Sequence, residues 1–220
     1  IGCGWGGFVE TAARAGHHVA GISLSERQTS WARERLAQAG LADRADLRLQ
    51  DYRDVRGRYD GVASIEMIEA VGEKYWPTYF AAVRDALAPG ARACIQAITI
   101  AEDRFERYRT QSDFIQQYVF PGGMLASPSR LVADAERAGL RVVRSLRFGR
   151  DYGEALVAVN VRVVFAQVEE VRRRHRGYGG VQVAAAELGS GHGGRGLQQS
   201  PVAQGGVAAE LADDAVVDGP

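Results

Sequence analysis

The sequence predicts an α/β fold, a doubly wound and mostly parallel sheet carrying a helical insertion. Three observations predict it. Short β-rich runs alternate with amphipathic stretches as far as Phe148, the pattern of parallel strands joined by crossover helices. A glycine-rich run, Ile1-Gly2-Cys3-Gly4-Trp5-Gly6-Gly7, opens the chain and reads as a turn that leads a strand into a helix. Apolar residues make up 46% of the 220 residues, enough to bury one sizeable core.

The elements follow in order. Phe8 to Ala15 reads as a helix closed by Gly16, and His17 to Leu24 as a strand. Ser25 is a good N-cap for an amphipathic helix from Glu26 to Ala39, which Gly40 ends. Asp46 to Gln50 and Gly61 to Ile65 are strands, and Glu73 to Leu87 is a helix that tolerates Pro77 near its start. Pro89-Gly90 should break the chain before the apolar strand Ala93 to Ile100. Asp103 to Val119 reads as the helical insertion, closed by the turn Phe120 to Gly123. Ser129 to Ala138 is a helix capped by Gly139, and Leu140 to Phe148 is a last strand.

Composition excludes several classes. The 27 basic and 27 acidic residues cancel, leaving no footprint for nucleic acid and no polybasic membrane anchor. Cys3 and Cys94 form no CxxC pattern, and the four histidines lie at no metal-ligand spacing, so no metal site is expected. Such cysteine use fits a reducing, cytoplasmic setting. No apolar run approaches the ~20 residues that span a bilayer, and no signal peptide is visible. The chain opens at Ile1 on a turn that ordinarily follows a complete strand, so a fragment lacking its start is expected.

Gly2, Gly4 and Gly7 satisfy G-x-G-x-x-G, a weak signal that fits any dinucleotide-binding turn. A dinucleotide site also needs an acid about 20 residues on, to bind a ribose hydroxyl. The second strand instead ends Ile22-Ser23-Leu24-Ser25, which argues against NAD and departs from the commonest methyltransferase pattern too.

Five ordered blocks then carry a resemblance: IGCGWGG, GISLSERQ (Gly21 to Gln28), SIEMIEAVGEKYWPTYF (Ser64 to Phe80), QAITI, and DFIQQYVFPGGMLAS (Asp113 to Ser127). With them the chain resembles the cyclopropane-fatty-acyl-phospholipid and mycolic acid cyclopropane synthase family from Ile1 to about Tyr152. The resemblance implies a Rossmann-like class I methyltransferase fold that binds S-adenosylmethionine. It implies that Gly2, Cys3 and Gly4 line the cofactor, and that Ser23, Leu24 and Gln28 hold its ribose and carboxylate region. Tyr52 and Arg53 would flank the adenine. Glu69 matches a carboxylate that helps hold a bicarbonate ion acting as general base; Gln96, often His in the family, and Ile98 match further bicarbonate contacts. Tyr152 matches a tyrosine completing that site, and Glu66 is an in-family alternative for polar contacts.

The implied reaction moves a methylene group onto the double bond of an unsaturated lipid acyl chain and closes a cyclopropane ring. An alkene is a poor nucleophile, the cation formed needs electron-rich faces, and a base must then remove a methyl proton. Trp76, Tyr79, Phe80, Tyr118 and Phe120 are the aromatic candidates. Each assignment has a plainer competitor: Gly2 and Gly4 as a tight turn, Glu69 as a solvated helix-start carboxylate, Tyr52 and the aromatics as packing. The implied partner is an unsaturated phospholipid at a membrane surface, approached by a cytoplasmic enzyme peripheral to the inner face. A homodimer is an assembly the resemblance admits.

Past Tyr152 the likeness weakens, returning briefly at Phe165 to Arg172. The expected organisation is a methyltransferase core at 1–152 and a degenerate helical continuation at 153–180. A low-complexity tail without aromatics, expected to lack structure, follows at 181–220. Two alternatives stay open: a small-molecule N- or C-methyltransferase, and a non-catalytic cofactor-binding remnant.

Overall fold

A computed structural model describes residues 1–112, 115–149, 151–152 and 181–188, the last stretch as backbone. The chain divides into two compact units, one of Cys3–Leu49 in its described part, the other of Ile1–Gly2 with Gln50–Ser190.

The smaller unit holds α1 (Gly7–Arg14), β1 (Val19–Ser23), α2 (Glu26–Gln38) and β2 (Ala45–Leu49). β1 and β2 pair in parallel from Val19 opposite Ala45 to Ser23 opposite Leu49. Val9, Ala32, Leu36 and Leu47, one apolar stripe from each helix and the inner face of β2, form its core. The cap read from the sequence is made: Ser25 Oγ accepts from the Gln28 N–H at 3.3 Å. Gly6 enters α1 in the left-handed region at φ 81°, and a Cβ there would sit 2.8 Å from that of Ala32. Only glycine satisfies both demands.

The larger unit holds β3 (Tyr59–Ile65), α3 (Trp76–Ala86), β4 (Leu87–Ile98), α4 (Glu102–Thr110), α5 (Pro128–Arg137), β5 (Leu140–Arg147) and β6 (Val181–Leu188). Its sheet runs in the order β3-β4-β6-β5, with β3 and β4 parallel and β6 antiparallel to both its neighbours. Ala91, Ala93, Ile95 and Ala97 alternate into the core along β4, as a period of two requires. Trp76, Tyr79, Phe80 and Val83 present one buried face of α3 in the same core. Arg130 ties this layer together, bonding Glu73 at 3.0 Å and the buried Asp134 at 2.8 Å with its guanidinium 5.5 Å above the Trp76 ring.

Three expectations are corrected. Pro89-Gly90 does not precede β4 but lies inside it. The register slips between Tyr59 and Gly61 of β3, and that irregularity accommodates a residue with no N–H to give. The insertion expected as one stretch from Asp103 to Val119 is α4 followed by a separate π-helical turn, Ile115–Val119. The tail expected to lack structure from Val181 onward contributes β6 instead. A strand flanked on both sides satisfies its backbone hydrogen bonds without aromatic burial, which an argument from composition alone does not weigh. The continuation expected at 153–180 and the tail beyond 188 lie outside the described residues.

Candidate active site

β3 stops at Ile65, which pairs with Gln96 of β4. Glu66 follows and keeps one more ladder bond, its N–H donating to the Gln96 carbonyl at 2.9 Å. It then turns the chain with φ 50°, making it the only non-glycine residue of positive φ among the described residues. The reversal brings its carboxylate back toward the strand end, where Oε1 accepts from Gln96 Nε2 at 2.9 Å.

The 3-10 turn Ile68–Ala70 comes next, pinned by the buried Ile68. It delivers Glu69 inward: Oε1 accepts from the Ile98 N–H at 2.5 Å, while the Glu69 carbonyl accepts from the Met124 N–H at 2.8 Å. Oε2 of Glu69 is buried with no hydrogen-bond partner. Burial pushes the Glu69 carboxyl up to about 7, and the negative Glu66 nearby adds to the rise. Tyr152, fixed by its N–H to the Phe148 carbonyl at 2.9 Å, has its hydroxyl pushed up by burial and by a hydrogen bond with Glu66. The hydroxyls of Ser64 and Tyr79 are buried and unpartnered as well.

The four residues read from the sequence as catalytic, Glu69, Gln96, Ile98 and Tyr152, thus come together within the larger unit. Glu66, weighed only as an alternative, touches Gln96 and Tyr152 and acts on Glu69. No periodicity or spacing marks it in the sequence, because its role depends on a turn of positive φ.

The residues assigned to a bicarbonate ion do not fit one as they stand. The Ile98 N–H is taken by Glu69, and Gln96 and Tyr152 are turned onto Glu66. Neither carboxylate is ion-paired among the described residues, so an anion here would be a third acidic group with no cation to balance it. Among the described residues no cluster of His, Cys, Asp or Glu could hold a metal ion.

The residues assigned to the cofactor are placed as follows. In the larger unit Gly2 has φ 72°, and a Cβ on it would lie 2.9 Å from Met67 Cγ. In the smaller unit Gly4 has φ 52° and the half-buried Cys3 donates its N–H to the Ile22 carbonyl at 2.8 Å. At the tip of β1, Ser23 Oγ donates to Gln28 Oε1 at 2.9 Å and accepts from the Ser25 N–H at 3.2 Å. Leu24 between them is 72% exposed. In the larger unit Tyr52 is half-buried with its ring edge-on to Tyr79 at 5.9 Å. Arg53 is clamped by both oxygens of Asp51, at 2.9 and 2.7 Å. The sequence reading passed over Asp51, whose carboxyl that pairing holds below its ordinary range.

Of the aromatics proposed for a cation pocket, Trp76, Tyr79 and Phe80 are fully buried in the core, whereas Tyr118 and Phe120 are exposed. Packing accounts for the first three, although the Trp76 Nε1 and Tyr79 hydroxyl keep unspent hydrogen-bonding capacity.

Comparison with known proteins follows the same lines. A tuberculostearic acid methyltransferase of Mycobacterium tuberculosis is 43% identical over 157 residues, covering 71% of this chain and 37% of that protein. The cyclopropane-fatty-acyl-phospholipid synthase of Escherichia coli is 32% identical over 170 residues, or 77% of this chain and 42% of that one. The chain therefore spans well under half the length of these curated relatives. A mycolic acid cyclopropane synthase solved with SAH and CTAB shares the fold at a TM-score of 0.68 and 22% identity, over 84% of this chain and 75% of that one. The family model for mycolic acid cyclopropane synthetase matches residues 1–174, beyond Tyr152 where the resemblance of the sequence weakens, and the chain belongs to that family.

Proposed function

We propose that this chain is the core of an S-adenosylmethionine-dependent enzyme that transfers a methylene group to the double bond of an unsaturated fatty acyl chain in a lipid, forming a cyclopropane ring. The observation that carries the reading is the cluster at the ends of β3 and β4, where a buried acid, a second carboxylate, an amide and a phenol converge. Relatives named for fatty-acid methylation and for cyclopropane synthesis support the substrate class.

When bound, S-adenosylmethionine supplies an electrophilic methyl group. Cys3, Gly4, Ser23, Leu24 and Gln28 are the residues proposed to hold it, with Gly2, Tyr52 and Arg53 in the roles the resemblance gives them. The positive φ values at Gly2 and Gly4 fit such a role, since they leave main chain with no Cβ in the way of a ligand. Ser23 and Gln28, already paired, present a hydroxyl and an amide of fixed orientation at the strand tip. The carboxylates and Tyr152 stand ready to accept and hold a proton. We place the substrate in a bilayer approached from the cytoplasmic face; no described helix is long and apolar enough to cross a membrane.

The test is product analysis. The full-length polypeptide, given S-adenosylmethionine and vesicles of monounsaturated phospholipid, should yield acyl chains heavier by one methylene, with the double bond consumed. Chains bearing a methyl branch and a retained double bond would instead point to methylation without ring closure. Calorimetric titration should show S-adenosylmethionine binding and no NAD binding; the reverse would sink the reading.

A further inference from the structure

We infer that this chain carries its own proton acceptor: the Glu66 carboxylate, held by Gln96 and Tyr152, replaces the bicarbonate ion that the family resemblance implies. The inference rests on the function proposed above.

Geometry carries it. Two of the side chains assigned to the ion, Gln96 and Tyr152, hydrogen-bond the Glu66 carboxylate instead. A carboxylate and a bicarbonate offer the same planar pair of acceptor oxygens, so donors arranged for one suit the other. Glu66 takes this position with φ 50°, a conformation that costs an L-residue energy. Its side chain is half-buried, caught between the Gln96 amide and the Tyr152 phenol, not immersed in the apolar core. Glu69 suits the task less well. One oxygen is bound by the Ile98 N–H, the other is buried without a partner, and the titratable group acting on it is Glu66.

The step is balanced as written. A C–H bond of the newly added methyl group breaks, and its electron pair closes the ring onto the adjacent cationic carbon. The proton passes to a Glu66 oxygen, so cation and carboxylate become a neutral ring and a carboxylic acid. Glu66 then returns the proton to solvent.

Removing all bicarbonate and carbon dioxide from the buffer should leave the wild-type rate unchanged, and isotopically labelled bicarbonate should show no binding by NMR. Glu66→Gly removes the carboxylate and suits the positive φ, so it should fold, melt at a higher temperature and turn over on the order of 10²-fold more slowly. Added bicarbonate should restore much of that loss and should now bind. Glu66→Gln, which keeps the hydrogen-bonding shape, should be as slow as Glu66→Gly. A wild-type enzyme that slows without bicarbonate or binds the labelled ion overturns the inference, as does a Glu66→Gln variant of undiminished rate. A wild-type enzyme that forms no lipid product in any buffer defeats the functional reading instead, and the labelled-bicarbonate experiment still decides this one.

Discussion

At the scale of the residue, Glu69 is where burial and chemistry are most directly opposed. Its carboxyl is lifted from its ordinary 4.5 to about 7, chiefly by desolvation. A group that holds its proton more tightly when folded gives the unfolded state the advantage once it ionises. Wild-type stability should therefore decline as pH rises through that window, by roughly 3 kcal/mol in all. Glu69→Gln removes the penalty while keeping an oxygen for the Ile98 N–H. Denaturant unfolding at about pH 5 and about pH 8 should show the variant gaining on the wild type at the higher value, and a constant difference would mean that Glu69 is not buried as an acid. The sequence made Glu69 legible only through its block SIEMIEAVGE, since an isolated glutamate ahead of a helix reads as solvated. Glu66, one turn earlier in the same block, was not legible, because no pattern of residue types announces a glutamate in the left-handed region.

At the scale of the element, the sequence was most readable where one residue type answers one backbone need. The Ser25 cap, the Pro77 start of α3, and the glycines closing α1 and α2 all lie within a residue or two of expectation. These are local effects, fixed by a few neighbouring atoms. Ser25→Ala should cost about 1 kcal/mol and loosen the turn that presents Ser23 and Gln28. Gly6→Ala should cost more, about 2–4 kcal/mol, because it combines left-handed strain with a Cβ driven against Ala32. Thermal unfolding of the two variants checks the order, and an equal effect would show that the α1 entry can relax away from α2. Pro89-Gly90 was misread for the converse reason. Whether that dipeptide ends a strand or sits in a bulge depends on the partner strand β3, which is more than 20 residues away in sequence.

At the scale of the whole molecule, the decisive arrangement is a strand that composition argued against. β6 lies between β4 and β5 and pairs antiparallel with both, from Arg92 opposite Glu187 to Ile98 opposite Val181 on one side. On the other side it runs from Leu140 opposite Leu188 to Arg147 opposite Gln182. The parallel pair β3 and β4 therefore reaches β5 only through a segment more than 30 residues further along the chain. A sequence reading that weighs aromatics and periodicity has no access to such a closure, because its energy lies in backbone pairing at long separation. The consequence reaches the candidate active site: β4 carries Gln96 and Ile98, and these residues pair with Val183 and Val181 of β6. Ala185→Pro, in the middle of β6, removes an N–H from a strand flanked on both sides, where proline is not accommodated. It should destabilise the fold by about 3 kcal/mol or more and expose the edges of β4 and β5 to exchange. Hydrogen exchange followed by mass spectrometry should then show protection falling along β4 and β5 together while β1 and β2 keep theirs. Unchanged protection in β4 would mean that β6 adds nothing to the sheet, and the tail reading drawn from composition would stand after all.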